Sequence, residues 1–222
     1  MNIKFKINRL RHFIFGEKFY KRLNFDWTSC PSRIQIIQKI INLKKFKSYL
    51  EIGCYNDDVF SNIIIDDKTG VDPVSGGNIR ETSDNFFKKN NRKFDLIYID
   101  GLHHYDQVKK DIENSIFFLN VNGIIVIHDC MPRSFIEQAV PQSKGTWTGD
   151  VWKNIVECRT LPFIQTYTVY ADHGISILLK RPNKNILDLK LSDFKKLKFE
   201  DFYYNHNLYF NVISFDDMIK FI

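Results

Sequence analysis

Apolar and polar positions along this chain alternate with two periods, and the switching between them predicts a run of strands and helices. Over residues 31–46 (PSRIQIIQKIINLKKF), Ile34, Ile37, Ile40 and Ile41 fall on one helical face, and Pro31 suits a first turn. Residues 48–53 read as a short strand closing in a polar turn with Gly53, and residues 58–65 (DVFSNIII) as the next helix. A second short strand, 69–72, ends in Asp72; a helix over 83–90 follows. Residues 94–100 (FDLIYID) form a strong strand that again ends in an acid. A helix over 105–119 places Val108, Ile112, Ile116 and Leu119 on one stripe. Residues 123–129 (GIIVIHD) are a buried strand, 150–158 a helix, and 163–170 and 174–180 two strands joined through Asp172-His173-Gly174. The order βαβαβαβ with a closing pair predicts an α/β fold: a mostly parallel sheet with helices on both faces and right-handed crossovers.

Length changes this picture little. The 222 residues suit one domain with short additions, and 44% hydrophobic with 15% aromatic residues excludes wholesale disorder. Three segments are expected: a basic N-terminal arm over 1–30, the α/β domain over 31–182, and an appended C-terminal segment, 183–222, packed on it. The net charge of +6 is unevenly placed. Residues 1–25 hold Lys4, Lys6, Arg9, Arg11, Lys18, Lys21 and Arg22 against the single acid Glu17, while the remainder balances. The body therefore lacks the bulk charge of a nucleic-acid-binding surface, and no nucleic-acid partner is expected. The arm reads as a solvated amphipathic segment, with contact to anionic lipid or a partner as the other reading. Lys and Arg interrupt its apolar residues, so no export signal is read; with no apolar run near the ~18 residues of a span, the expected location is cytoplasmic. Cys30, Cys54, Cys130 and Cys158 form no C-x-x-C pair and are read as reduced thiols rather than a zinc framework.

The candidate chemistry lies where the strands end. In an open parallel sheet, ligands bind beyond the carboxyl ends of the strands at the switch in strand order. Asp72, Asp100 and Asp129 each end a strand there, and Glu51 and Gly53 end the first. The loop after Glu51 lacks G-x-G-x-x-G and G-x-x-x-x-G-K-[ST], so a dinucleotide has no glycine cradle and a nucleoside ligand without phosphates fits better. Asp72 follows Glu51 by 21 residues, which places a carboxylate on the adjacent strand where it can accept both ribose hydroxyls.

Tyr49-Leu50-Glu51-Ile52-Gly53, Gly70-Val71-Asp72-Pro73, the run from Phe94 to Gly101 and that from Gly123 to Asp129 together resemble the class I S-adenosylmethionine-dependent methyltransferases, over roughly residues 45–182. Asp100-Gly101-Leu102-His103-His104-Tyr105 and the His-Asp strand end resemble the branch that methylates hydroxyls of small molecules and sugars. In one respect the chain departs from that family: the first motif usually continues E-x-G-x-x-x-G, and here Asp57 stands at the second glycine.

The resemblance implies a Rossmann-like, seven-stranded, mostly parallel sheet with an antiparallel closing strand, and S-adenosyl-L-methionine as cofactor. Gly53 would let the methionine moiety approach the backbone, Glu51 would orient its ammonium, Asp72 would hold the ribose, and Ser83 and Asp84 would lie near adenine. Asp100 and Gly101 would line the cofactor at the sheet edge. An alcohol acceptor must lose its proton; His103 is the first candidate base, with His128 and Asp129 as further catalytic candidates. The other device is a divalent cation, magnesium, on Asp100 and Asp129. The next residue, an oxygen ligand in related metal-dependent enzymes, is here Cys130, a poor magnesium ligand. Trp147 and Trp152 read either as an acceptor-site lid or as core, Asp150 as a helix N-cap, and Asp172-His173-Gly174 as a hairpin turn.

The expected reaction is in-line transfer of a methyl group to a hydroxyl of a small molecule, with a sugar or nucleotide sugar as acceptor class; a homo-oligomer stays open. Nucleic-acid methylation is the alternative enzyme reading, but no N/D-P-P-Y run follows strand 94–100. A non-catalytic binding module is the alternative from another class, with Asp57 as its support. A nicotinamide oxidoreductase is disfavoured by the missing glycine fingerprint.

Overall fold

A computed structural model describes residues 3–222. The elements in order are α1 (Ile3–Phe15), α2 (Arg33–Lys44), β1 (Ser48–Ile52), β2 (Asp67–Val71), α3 (Ser83–Lys89), β3 (Phe94–Ile99), α4 (Tyr105–Phe117) and β4 (Leu119–Ile127). They continue with α5 (Phe135–Gln138), α6 (Trp152–Arg159), β5 (Gln165–Val169), β6 (Ile175–Leu179), α7 (Phe199–Phe210), β7 (Val212–Ile213) and α8 (Phe215–Phe221), with one 3-10 turn at Phe194–Lys196. The seven strands form one sheet in the order β2-β1-β3-β4-β6-β5-β7. Strands β2, β1, β3 and β4 run parallel; β6 is antiparallel to both β4 and β5.

Alternation within the strands sorts the core into two layers. Leu50, Ile97, Ile99, Ile125 and Ile127 meet α3, α4, α6 and α7 on one face, with Phe86, Ile112, Trp152 and Phe202. Tyr49, Leu96, Tyr98, Ile124 and Val126 meet α2 and α8 on the other, with Ile37, Ile41 and Met218. Each fully buried Ile or Leu here contributes about 1.5–3 kcal/mol relative to exposure. Helix α2 begins at Arg33 because Ser32 caps it, in a capping box with Gln35, and it ends where Lys45 turns left-handed. Its inner face is Ile36, Ile37, Ile40 and Ile41, with Ile34 half-buried at the margin.

Three expectations are corrected. Residues 58–65 form turns, not a helix. Only a single turn forms, with Ser61 N bonded to Asp57 O and Ile63 N to Val59 O at 3.0 and 3.1 Å, and short polar side chains bond the same backbone: Ser61 Oγ donates to Asp57 O, Asn62 Nδ2 to Asp58 O, and Asp58 N to Asn56 Oδ1. Lys68 Nζ then takes the Phe60 and Ile63 carbonyls at 2.7 and 3.0 Å. The arm is not simply solvated: beyond α1 it runs as an ordered strap, with Leu23 N bonded to Arg133 O and Phe19 packed on Phe199 and Tyr203. Residues 183–222 do more than pack on the domain, since β7 pairs with β5 and Phe199, Phe202 and Phe210 are fully buried in the main core. Among the described residues no helix is long and apolar enough to cross a membrane.

Candidate active site

The chain leaves β1 for β2 on one side and later returns to β3 on the other, so the switch point lies beyond the carboxyl ends of β1 and β3. A cavity of about 1070 Å³ opens there, lined by Glu51, Gly53, Asp72, Ser83, Asp84, Asp100, Gly101, His103, His128 and Asp129. All ten residues singled out in the sequence therefore meet at one rim of the sheet.

The β1–β2 side of this rim is built from backbone. Gly53, at φ +90°, passes so close to the end of β3 that a Cβ would stand 2.4 Å from both Asp100 O and Gly101 Cα; only glycine fits. Asp72 accepts from the backbone N–H groups of Tyr55, Val74 and Ser75 at 2.8–3.0 Å. Burial opposes its charge, but these three donors, with Arg80 at 3.9 Å, hold its carboxyl below the usual range. Asp57, at the position where a second glycine was expected, adopts φ +65° and accepts from Gly77 N at 2.6 Å. The turn geometry is thus kept, and a side chain ties the two loops together.

Glu51 is buried and accepts a hydrogen bond from the Tyr49 hydroxyl. Burial raises its carboxyl to about 8, with help from the charges of Asp100 and Asp57 and against the Tyr49 bond. At the far end of the cavity, Gln107 Nε2 lies 2.9 Å from Asp84 Oδ1 and 3.1 Å from Ser83 Oγ and Asp111 Oδ1. Asp111, which the sequence reading passed over, is pushed up to about 6 by burial. It lies mid-helix on α4, where a buried polar position breaks an apolar stripe; that break was the available signal.

The β3–β4 side is built from charged side chains. Asp100 Oδ1 lies 3.2 Å from both His103 Nε2 and His128 Nδ1, and Asp100 Oδ2 accepts from Tyr98 OH at 2.9 Å. His128 Nε2 is 2.9 Å from Asp172 O and 3.4 Å from Asp172 Oδ1. Both its ring nitrogens face acceptors, so both carry protons. Burial opposes that charge, but Asp129, Asp100 and Asp172 outweigh it and hold His128 well above its ordinary value. Asp100 is correspondingly held far below the carboxylate range, His128 and His103 overcoming its burial.

His103 is different. Its Nε2 meets Asp100, but its buried Nδ1 has no aligned hydrogen bond and stands 3.4 Å from Asp129 Oδ2. Burial works against its cation; the Asp100 bond and the Asp129 and Asp100 charges prevail and raise it above its ordinary value. Asp129 sits at φ +57°, a left-handed conformation that Asp tolerates better than most residues and that recurs at functional sites. Beneath His103, Gly149 at φ +58° passes where a Cβ would lie 1.8 Å from His103 O.

The two tryptophans part company. Trp147 packs at a tilt against His103, with centroids 5.3 Å apart, and donates Nε1–H to Ala139 O at 2.8 Å, so it walls the cavity. Trp152 is fully buried against Phe202, as core. Asp150 caps α4 rather than its own helix, taking Tyr105 N at 2.6 Å. The 172–174 hairpin is more than a turn: Asp172 takes Arg33 N and its guanidinium as well as His128. Arg33 and Asp172, distant in sequence from the other site residues, carried no local signal. Cys130 Sγ lies against the carbonyls of Ile127 and His128, and burial pushes its thiol up to about 12. Among the described residues, Asp100, His103 and Asp129 form one possible metal-holding group, their ligand atoms all within 4.8 Å of one another.

Residues 64–130 match the family model described as a methyltransferase domain. No curated protein matches the chain. Solved structures share its fold. An O-methyltransferase from Bacillus cereus in complex with SAH is 10% identical, with 82% of this chain and 92% of that one covered and a TM-score of 0.51. Cofactor-bound Rv0187 from MTB is 11% identical, with coverages of 80% and 97% and a TM-score of 0.52. The SAH-bound Podospora anserina methyltransferase PaMTH1 is 15% identical, with coverages of 83% and 97% and a TM-score of 0.51.

Proposed function

We propose that this chain, whose residues 64–130 match a methyltransferase-domain model, is a class I S-adenosylmethionine-dependent methyltransferase that transfers the methyl group to a hydroxyl oxygen of a small-molecule acceptor, with His103 as general base. The observation that carries the reading is the pairing of His103 with Asp100 and Asp129 in the same cavity as Glu51, Gly53 and Asp72. The neighbours solved with SAH bring the cofactor class.

In this reading Asp72 accepts the ribose hydroxyls and Glu51 faces the cationic methionine end, where ionisation of its carboxyl is favoured by the ligand. Gly53 and Gly101 give the cofactor its close approach, and Ser83, Asp84 and Asp111 read the adenine edge. With its Nε2–H donating a hydrogen bond to Asp100, neutral His103 bears its lone pair on Nδ1. That nitrogen is closed off beside Asp129 in this structure, so the acceptor enters by displacing the Asp129 carboxylate from it, and it then takes the hydroxyl proton as the oxygen attacks the methyl carbon. The carbon–sulfur bond breaks and its electron pair stays on sulfur, leaving S-adenosylhomocysteine. Asp129 stabilises the imidazolium that forms, and Asp100 fixes the tautomer, as an orienting carboxylate does for other histidine bases. His128, a double donor, positions Asp100 and does not transfer a proton; Asp129 acts through charge. Trp147 supplies a flat apolar wall against which a sugar ring stacks.

A second reading has its own observation. Asp100, His103 and Asp129 offer two carboxylates and one imidazole at ligand spacing, a set that would hold a divalent cation; such an ion lowers the pKa of a coordinated hydroxyl. Charge balance favours the histidine reading: His128 and Arg33 already neutralise Asp100 and Asp172, and Cys130 offers its sulfur to backbone carbonyls instead.

The test is formation of S-adenosylhomocysteine over a panel of sugar, nucleotide-sugar and phenolic hydroxyls, with magnesium and with chelator. Turnover that chelator leaves unchanged, and that His103→Asn lowers roughly 10²–10⁴-fold at unaltered cofactor affinity, is expected. Full activity in that variant removes His103 from the chemistry; a chelator-abolished rate transfers it to the cation.

A further inference from the structure

Helix α1 is mounted inside out. Its sequence, IKFKINRLRHFIF, has no acid, and its two buried residues are polar, Asn8 and His12. Asn8 Nδ2 donates to Gln142 O and His12 Nε2 to Pro141 O, both at 2.7 Å. Phe5, on the same side, lines the site cavity. The opposite face carries Ile3, Ile7, Leu10 and Ile14, spaced i, i+4, i+7 and i+11 in one stripe, and they are 75%, 63%, 59% and 52% exposed. Phe13 adds a further large apolar side chain, 68% exposed. Lys4 and Arg11 flank this stripe on one side, Lys6 and Arg9 on the other.

Scattered apolar side chains on a surface need no explanation, but a contiguous stripe bordered by charge marks an interaction site. Charge chooses the occupant. A second copy would bring α1's four cations against a like set, or against a body whose acids and bases balance. A layer of anionic headgroups over an apolar interior matches both features at once: the stripe enters the acyl boundary while flanking cations reach the headgroups along their aliphatic stems. Thirteen residues are too few to cross a bilayer, so the helix lies in its surface.

We propose that α1 is an interfacial helix that seats this protein on an anionic lipid surface, apolar stripe inward. The 141–142 carbonyls that hold it belong to the segment leading to Trp147, which walls the site. The proposal is independent of which hydroxyl is methylated.

Flotation of the full chain with vesicles tests it. Partition onto vesicles rich in phosphatidylglycerol, release by high salt and absence from pure phosphatidylcholine vesicles are expected. Leu10→Glu, an exposed position, should cut the partition at least tenfold, and the triple change Lys6→Gln, Arg9→Gln, Arg11→Gln roughly 100-fold, with circular dichroism unchanged in both. No partition onto anionic vesicles at low salt overturns the proposal, as does partition that both variants leave intact. A lipid-independent dimer that Leu10→Glu dissociates, measured by light scattering, gives the stripe to a second copy and overturns it equally.

Discussion

The two sides of the site rim satisfy their carboxylates by opposite means. On the β1–β2 side, Asp72 and Asp57 are held by backbone N–H groups of the two loops that follow β1 and β2. On the β3–β4 side, Asp100 and Asp172 are held by His103, His128 and Arg33, side chains drawn from three separate stretches of chain. Backbone donors do not titrate; imidazoles do. The first side is a fixed cradle, and the second is a charge network whose protonation can change during a reaction. A bound nucleoside needs the former and a proton transfer needs the latter, so the division between them matches the division of labour proposed for the site.

The hinge between the sides is Gly53, and breaking it should have the largest effect. A methyl group there meets backbone on β3, not a flexible side chain, and the left-handed φ adds strain. Gly53→Ala should lower cofactor affinity by roughly 100-fold or more, since the loop must move off β3 to accommodate it. Calorimetric titration with S-adenosylhomocysteine checks this; wild-type affinity in that variant would show that the β1 and β3 ends need not be in contact.

The same contrast explains what could be read from the sequence. Strands β1, β3 and β4 are apolar runs ending in acids, and the acids alone located the rim, because a strand end is a local feature. The cradle's turn was legible through Gly53. The charge network was legible only in part: Asp100, His103, His128 and Asp129 stand in two strand-end motifs, while Arg33 and Asp172 arrive from 67 residues before and 72 residues after Asp100. Periodicity cannot report such meetings. The helix expected at 58–65 stops after one turn, because Lys68 takes the Phe60 and Ile63 carbonyls that a continuing helix would use, and an apolar count does not register a lysine beyond the segment. Residues 183–222 had too few periodic positions to announce β7, whose two residues pair only because β5 is already in place.

Glu51 sharpens the comparison, because its carboxyl sits beside Gly53 on the cradle side and is held by a side-chain hydroxyl instead of a backbone donor. With its carboxyl raised to about 8, it is mostly protonated in the empty site at neutral pH. A cationic cofactor favours the carboxylate, so binding releases a proton. Affinity for S-adenosylmethionine should therefore weaken as pH falls below about 8, by up to about tenfold per unit, and level off above it. Glu51→Gln should flatten that slope. Proton release measured by calorimetry in buffers of different ionisation enthalpy is the check; no release at pH 7 would mean that Glu51 is already ionised or not engaged.

On the network side, pH acts through the rate. His103 must be neutral to accept a proton, and its neighbours raise it above its ordinary value, so turnover should climb as pH rises through that raised value. Asp129 contributes to the raising. Asp129→Asn should thus move the lower inflection of kcat toward acid while lowering the plateau several-fold, because the imidazolium formed in the reaction loses its partner. An inflection that stays in place would take Asp129 out of the network.

The smallest effect is expected where the chain departs from the family pattern. Asp57 occupies a left-handed turn that glycine would occupy more readily, and that conformational cost is of order 1 kcal/mol for a non-glycine residue. Its carboxylate offsets the cost by accepting from Gly77 N at 2.6 Å, a charge-assisted bond that joins the first loop to the second. Asp57→Gly relieves the strain and loses the bond, so the two changes oppose each other and stability should shift by less than about 1 kcal/mol in either direction. Cofactor affinity should follow stability and change no more than a few-fold, because Asp72 keeps its own three backbone donors. Thermal unfolding with and without S-adenosylhomocysteine measures both. A large loss would make the Asp57 carboxylate part of the cradle in its own right, and the β1–β2 side would then depend on a side-chain charge as its opposite side does.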